Sequence, residues 1–172
     1  GAMMTARLEA AWKWMRSDKG MMLWAVLVGI VSGLLAVAMK QSVSGLRTVM
    51  FAIQSWLGGS WFLALGPLLG LVATAWVVQT LLKGDHPGPG IPATLHAIST
   101  RRGRMKRTWM FSPVITSILS VGFGGSGGLE APAMQAGAAM GSEVASQTRR
   151  HFRRRLLLIG CAAAGSLAAM FK

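Results

Sequence analysis

Residues 21–39, MMLWAVLVGIVSGLLAVAM, run for 19 positions without a charge, and residues 61–82, WFLALGPLLGLVATAWVVQTLL, run for 22. As a helix rising 1.5 Å per residue, either run spans a hydrocarbon core about 30 Å thick. The composition agrees: 52% of residues are hydrophobic and 13% charged, about half the charged share of a soluble domain. The first run is too long for the apolar region of a signal peptide, and no small-residue cleavage site comes after it. The sequence therefore predicts an all-α, multi-pass membrane protein.

The net charge of +13 raises nucleic acid as a partner, but the positions of the 18 Lys and Arg exclude it. Four lie between Arg7 and Lys19, six between Lys83 and Arg107, and five between Arg149 and Arg155. Long apolar segments separate the clusters, and the aromatic residues within them are Trp12, Trp14 and Phe152. Neither a stacking platform nor a continuous basic face results, so no nucleic acid is expected. The charge reads as topology: all three clusters belong on the cytoplasmic side, with the N-terminus, and the bilayer is the large partner. Gly1–Met3 resemble a scar left by tag removal. Within residues 4–20, Leu8, Ala11, Trp12 and Met15 share one helical face while Arg7, Glu9, Lys13 and Arg16 take the other. That pattern predicts an amphipathic helix in the cytoplasmic interface, with a membrane domain after it over 21–172.

On this topology span one leaves, span two returns, and 83–107 lies inside. Residues 108–148 must then leave and return, because 149–155 is basic again. Pro113, the glycines of 122–128, Glu130 and Pro132 interrupt that stretch too often for two clean spanning helices. Non-helical backbone at membrane depth is tolerated only where it is buried in protein or lines a cavity, so the break is expected to be functional. The last apolar segment, LLLIGCAAAGSLAAMF at 156–171, is rich in Ala and Gly and should pack closely on a neighbouring helix.

GDHPGPGIPATLHAI (84–98) and GFGGSGGLEAPAMQAGAAMGS (122–142) share a design. Each is a Gly/Pro stretch opening into a helix, expected to start near Ile91 or Pro92 and near Leu129 or Glu130. Pro92 and Pro132 suit a first turn, where a missing N–H costs nothing. A helix start carries unpaired N–H groups and about half a positive charge. Two such ends aimed at one point hold an anion weakly enough to release it, as a fixed cation would not. Glu130 is the one acid in this broken part, and a carboxylate at membrane depth is a functional candidate. Desolvation and the helix start act on it in opposite directions, which suits a group that enters the anion site when charged and leaves when protonated. A plain helix-start acid is the competing role for it.

Other signals are weaker. Gly122, Gly124 and Gly127 spell G-x-G-x-x-G, Thr116–Ser120 before them can pass for a strand, and Glu143 lies about 20 residues on. A dinucleotide fold needs a parallel sheet around those glycines, and apolar spans flank them instead. His86, His96 and His151 have no ligand spacing with Cys161 or the acids, so neither metal nor cofactor is expected. Asp85 reads as a loop residue, and Glu143 as the solvent-facing end of its helix or a partner for a nearby base. No second carboxylate and no base-activated nucleophile accompany Glu130, which argues against an enzyme.

GPGIP at 88–92 with GSGGLEAP at 125–132 resembles the CLC family of chloride channels and proton/anion antiporters, whose members carry G-S/P-G-I-P and then G-K/R-E-G-P. STRRGRMKR (99–107) and RRRLLLIGCAAAGSLAAMF (153–171) are similar to the family segments C-terminal to each motif, so the likeness covers about Met21–Phe171. The resemblance implies anion-binding loops at Gly88, Pro89, Gly90, Ile91 and Pro92 and at Gly128, Leu129, Glu130, Ala131 and Pro132, with Glu130 as the gating glutamate. It implies chloride or another small anion as cargo, with H+ in the antiporters, and a homodimer for the full-length family. Pro89 replaces a common serine, as in nitrate-preferring exchangers. Leu129 replaces a basic residue and Ala131 a glycine, which points to a bacterial subgroup and its inner membrane. The family fold has two inverted halves, and this chain matches the first; the helix with the internal proton glutamate, the second anion loop and the main dimer surface would lie beyond Lys172. The alternative is a non-conducting half-domain or fragment that needs a C-terminal half to form the pore.

Overall fold

The computed structural model describes residues 18–57, 61–80, 90–148 and 151–171. Gly88, Pro89 and the expected interfacial helix up to residue 17 lie outside the described residues. The described residues form helices α1 (Asp18–Leu57), α2 (Trp61–Thr80), α3 (Gly90–Thr100), α4 (Thr108–Gly122), α5 (Glu130–Gln147) and α6 (Phe152–Met170), with no strand among them. The chain is all-α, as its long apolar runs predict.

Gly20–Ile53 within α1 is long and apolar enough to cross a membrane; Leu65–Thr80 and Thr108–Gly122 are shorter apolar stretches. The two faces of α1 explain its setting. Val28, Ser32, Ala36, Met39 and Val43 are buried in a row at helical spacing, while Met22, Val26, Ile30 and Leu34 are exposed. A helix apolar on its outer face as well as its inner one suits a membrane span or the core of a larger assembly. The uncharged run suggests a span ending near Met39, yet α1 continues through Lys40 and Arg47 to Leu57. Lys40 fits because its Nζ donates to the carbonyl of Met170, 3.5 Å away at the end of α6, where the helix dipole is negative.

Packing rests on small residues. α6 lies along both α5 and α1, the close approach expected of its Ala/Gly-rich sequence. A Cβ added at Gly141 would stand 2.6 Å from the Leu158 carbonyl oxygen, and one at Gly165 would stand 2.5 Å from that of Gly29. Ser32 Oγ donates across the same crossing to Ala162 O at 2.7 Å. Without water to drive helices together, such backbone contact and interhelical hydrogen bonding supply the association.

The expected break between residues 108 and 148 takes a definite form. α4 closes with Phe123 N–H to Leu119 O, Gly124 N–H to Val121 O and Gly125 N–H to Ser120 O. Gly124 sits at φ +100, a conformation that L side chains rarely adopt. The chain then runs without regular structure to Leu129 and restarts as α5. With 15 and 18 residues, the two helices are about 22 and 27 Å long, short of the bilayer core.

Candidate anion site at two helix starts

α3 begins at Gly90 and α5 at Glu130, and the two helices touch. At their starts they meet backbone to backbone: a Cβ added at Gly90 would lie 2.9 Å from Ala131 O. Each has its proline at the third position, Pro92 and Pro132, which removes an N–H from a turn that has no acceptor for it. Gly90 and Ile91 in α3, and Leu129, Glu130 and Ala131 ahead of the first α5 bond (Ala133 N–H to Leu129 O, 3.0 Å), are left with no intrahelical acceptor. Neither first turn contains a lysine or arginine. Positive potential here comes from backbone donors and helix dipoles.

Depth is set by the neighbours. Ala133, one turn into α5, is buried with Ala36 and Met39 of α1, and Leu129 packs against the same cluster. Ala36 stands about 24 Å along α1 from Gly20, well inside its apolar stretch. The Leu129 side chain therefore faces the core, and only its backbone is available to an anion. Glu130 is exposed, and so are Ile91 and Pro92. The Glu130 carboxylate folds back over Gly128, whose Cα leaves room that a side chain would fill. Among the described residues it makes no hydrogen bond or ion pair. The two starts meet at Gly90 and Ala131, and Glu130 lies over Gly128 on the α5 side.

The dinucleotide reading fails on geometry, since Thr116–Ser120 is the interior of α4 and not a strand. Glu143 lies towards the other end of α5. It pairs with Arg107 at 2.7 Å and accepts from Gln147 Nε2 at 3.1 Å. The Arg107 guanidinium holds its carboxyl below the usual carboxylate range.

Two basic clusters meet at that same end. Ser142 Oγ donates to Gly103 O at 2.5 Å and accepts from Met105 N–H at 3.1 Å, pinning the loop after α3 to α5. Arg155 Nη1 donates to Arg102 O at 3.3 Å. The N-terminal part of α1 is there too: Val28 is buried in one cluster with Ala145, Leu158 and Ala162, and Trp24 packs against that cluster. Sequence reasoning assigns these arginines to topology and does not single out Arg155, which is buried; its place at the head of an apolar run, RRRLLL, is the one signal that could have found it.

No curated protein and no solved structure matches the chain. Residues 69–172, which include both helix starts, match the family described as Voltage gated chloride channel.

Proposed function

This chain belongs to the voltage gated chloride channel family, and from that premise we propose that the paired starts of α3 and α5 are the anion-binding element of a channel or H+/anion antiporter. The family consists of membrane-embedded ion channels and transporters rather than enzymes. The observation that carries the reading is the contact of Gly90 with Ala131. It supports a site in which the N–H groups of both helix starts lie near one another, close to Ala36 and Met39. An anion held by such donors keeps no counter-charge and can leave. Gly88 and Pro89 would extend the α3 side, with chloride or nitrate as cargo.

Glu130 is the gate in this account. Ionised, its carboxylate competes with the anion for the same donors; protonated, it withdraws. Its position at the helix start, folded over Gly128, supports that role. The basic clusters support a cytoplasmic N-terminus, and the Leu129–Ala131 variant of the motif supports a bacterial inner-membrane protein. The test is anion release from liposomes containing the full-length protein, for wild type, Glu130→Gln and Glu130→Ala across pH. Proton movement driven by an anion gradient separates antiporter from channel.

A second reading is favoured by exposure. Ile91, Pro92 and Glu130 are all exposed, so α3 and α5 provide one wall of a site whose other wall is not among the described residues. On that reading the 172 residues are a non-conducting half that needs a C-terminal half. Flux from the purified 172-residue chain alone refutes it.

A further inference from the structure

Far from the anion site, at the aqueous end where α3 finishes and α6 begins, an open pocket of about 430 Å³ is lined by Thr100, Arg101, Arg102, Arg104, Phe152 and Arg155. No acid is among these lining residues. The nearest in sequence, Glu143, is engaged by Arg107.

Arg155 makes this a built site. It is only 7% exposed, and its Nε is buried with no hydrogen-bond partner. A buried, incompletely paired guanidinium is costly. The backbone around it is also constrained. Arg102 is held at φ 50 and Gly103 at φ 72, and this bend aims the Arg102 carbonyl at Arg155 Nη1. Ser142 fixes the loop from the other side. Four arginines line this hollow, beside the positive start of α6.

We propose that this pocket binds a phosphate-bearing anion, supplied in the membrane by the headgroup of an anionic phospholipid. Planar guanidinium forks match phosphate oxygens in pairs, and basic pockets among membrane helices suit such headgroups. The surroundings favour the lipid source over free phosphate. Phe152 lines the pocket and is 44% exposed, and Leu156, one turn along the same face of α6, is half-buried. A headgroup in the pocket leaves its acyl chains against that apolar surface.

Native mass spectrometry of the full 172-residue chain in detergent, with phosphatidylglycerol or phosphatidylcholine added, tests the proposal. Calorimetric titration with inorganic phosphate is the second arm. Arg155→Gln is the obvious variant, but burial makes it a folding risk, so the decisive one is the exposed pair Arg101→Gln/Arg104→Gln. It is compared with Arg47→Gln/Arg153→Gln, which removes the same charge outside the pocket. Phosphatidylglycerol is expected to be retained over phosphatidylcholine. The pocket pair should weaken retention roughly 25-fold, about fivefold per arginine, with the control pair changing it less than about threefold. Binding of inorganic phosphate with the same arginine dependence, without lipid preference, keeps the phosphate site and reassigns its source. Equal losses in both pairs, or no phosphate-dependent binding in either arm, overturn the proposal.

Discussion

Gly90 and Ala131 are in backbone contact: a Cβ on Gly90 would stand 2.9 Å from the Ala131 carbonyl oxygen and 3.2 Å from its Cβ. On the proposed reading the two helix starts share one anion, and that requires the close approach which glycine at position 90 allows.

Replacing Gly90 with alanine should therefore force α3 and α5 apart. Thermal melting in detergent is expected to show a loss of about 1–3 kcal/mol, the usual cost of overpacking, with reduced anion flux. Gly160→Ala is the matched control, since a Cβ there meets nothing within 4 Å. It should be neutral or stabilise by up to about 1 kcal/mol. Equal melting shifts for the two would mean that the Gly90 contact is not tight.

The α5–α6 crossing makes a parallel demand. A Cβ at Gly141 lies 2.6 Å from Leu158 O and 2.9 Å from Ile159 Cα, both backbone atoms that cannot swing aside. Gly141→Ala should destabilise by about 1–3 kcal/mol, read from the melting midpoint.

Ser142 holds the basic loop through two hydrogen bonds, to Gly103 O and from Met105 N–H. Ser142→Ala should cost about 1–3 kcal/mol, because buried backbone groups lose their partners. Limited trypsin digestion should cut at Arg101–Arg107 sooner in this variant than in wild type.

The Arg107–Glu143 pair gives an acid-side signature. Because the Glu143 pKa is lowered in the folded protein, its stabilising contribution is present above the ordinary carboxylate pKa. It is lost as pH falls through the lowered folded value. Arg107 is 76% exposed, so the effect is small, under about 1 kcal/mol. Melting midpoints measured on acidification should fall less steeply in Arg107→Gln than in wild type.

How much of the fold and the site is legible in the sequence depends on the range of each interaction. The starts of α3 and α5 are readable near Ile91 and near Glu130, because Gly/Pro stretches with proline at the third helical position are local signals. The tight packing of α6 is readable from its small residues. The end of α1 is not: Lys40 reads as a boundary until its ammonium is seen to reach Met170 O, 130 positions away. Thr116–Ser120 is ambiguous because a short apolar run carries no period long enough to tell strand from helix. The arginine pocket is invisible, since only the folded chain brings residues 100–104 to Phe152 and Arg155.

The central claim is that Glu130 gates an anion held between two helix starts. Chloride release from liposomes containing the full-length protein, monitored from about pH 4 to about pH 8, tests it most directly. Wild type should conduct with a clear pH dependence, and Glu130→Gln should conduct with that dependence abolished. A pH profile unchanged in both Glu130→Gln and Glu130→Ala would contradict the account.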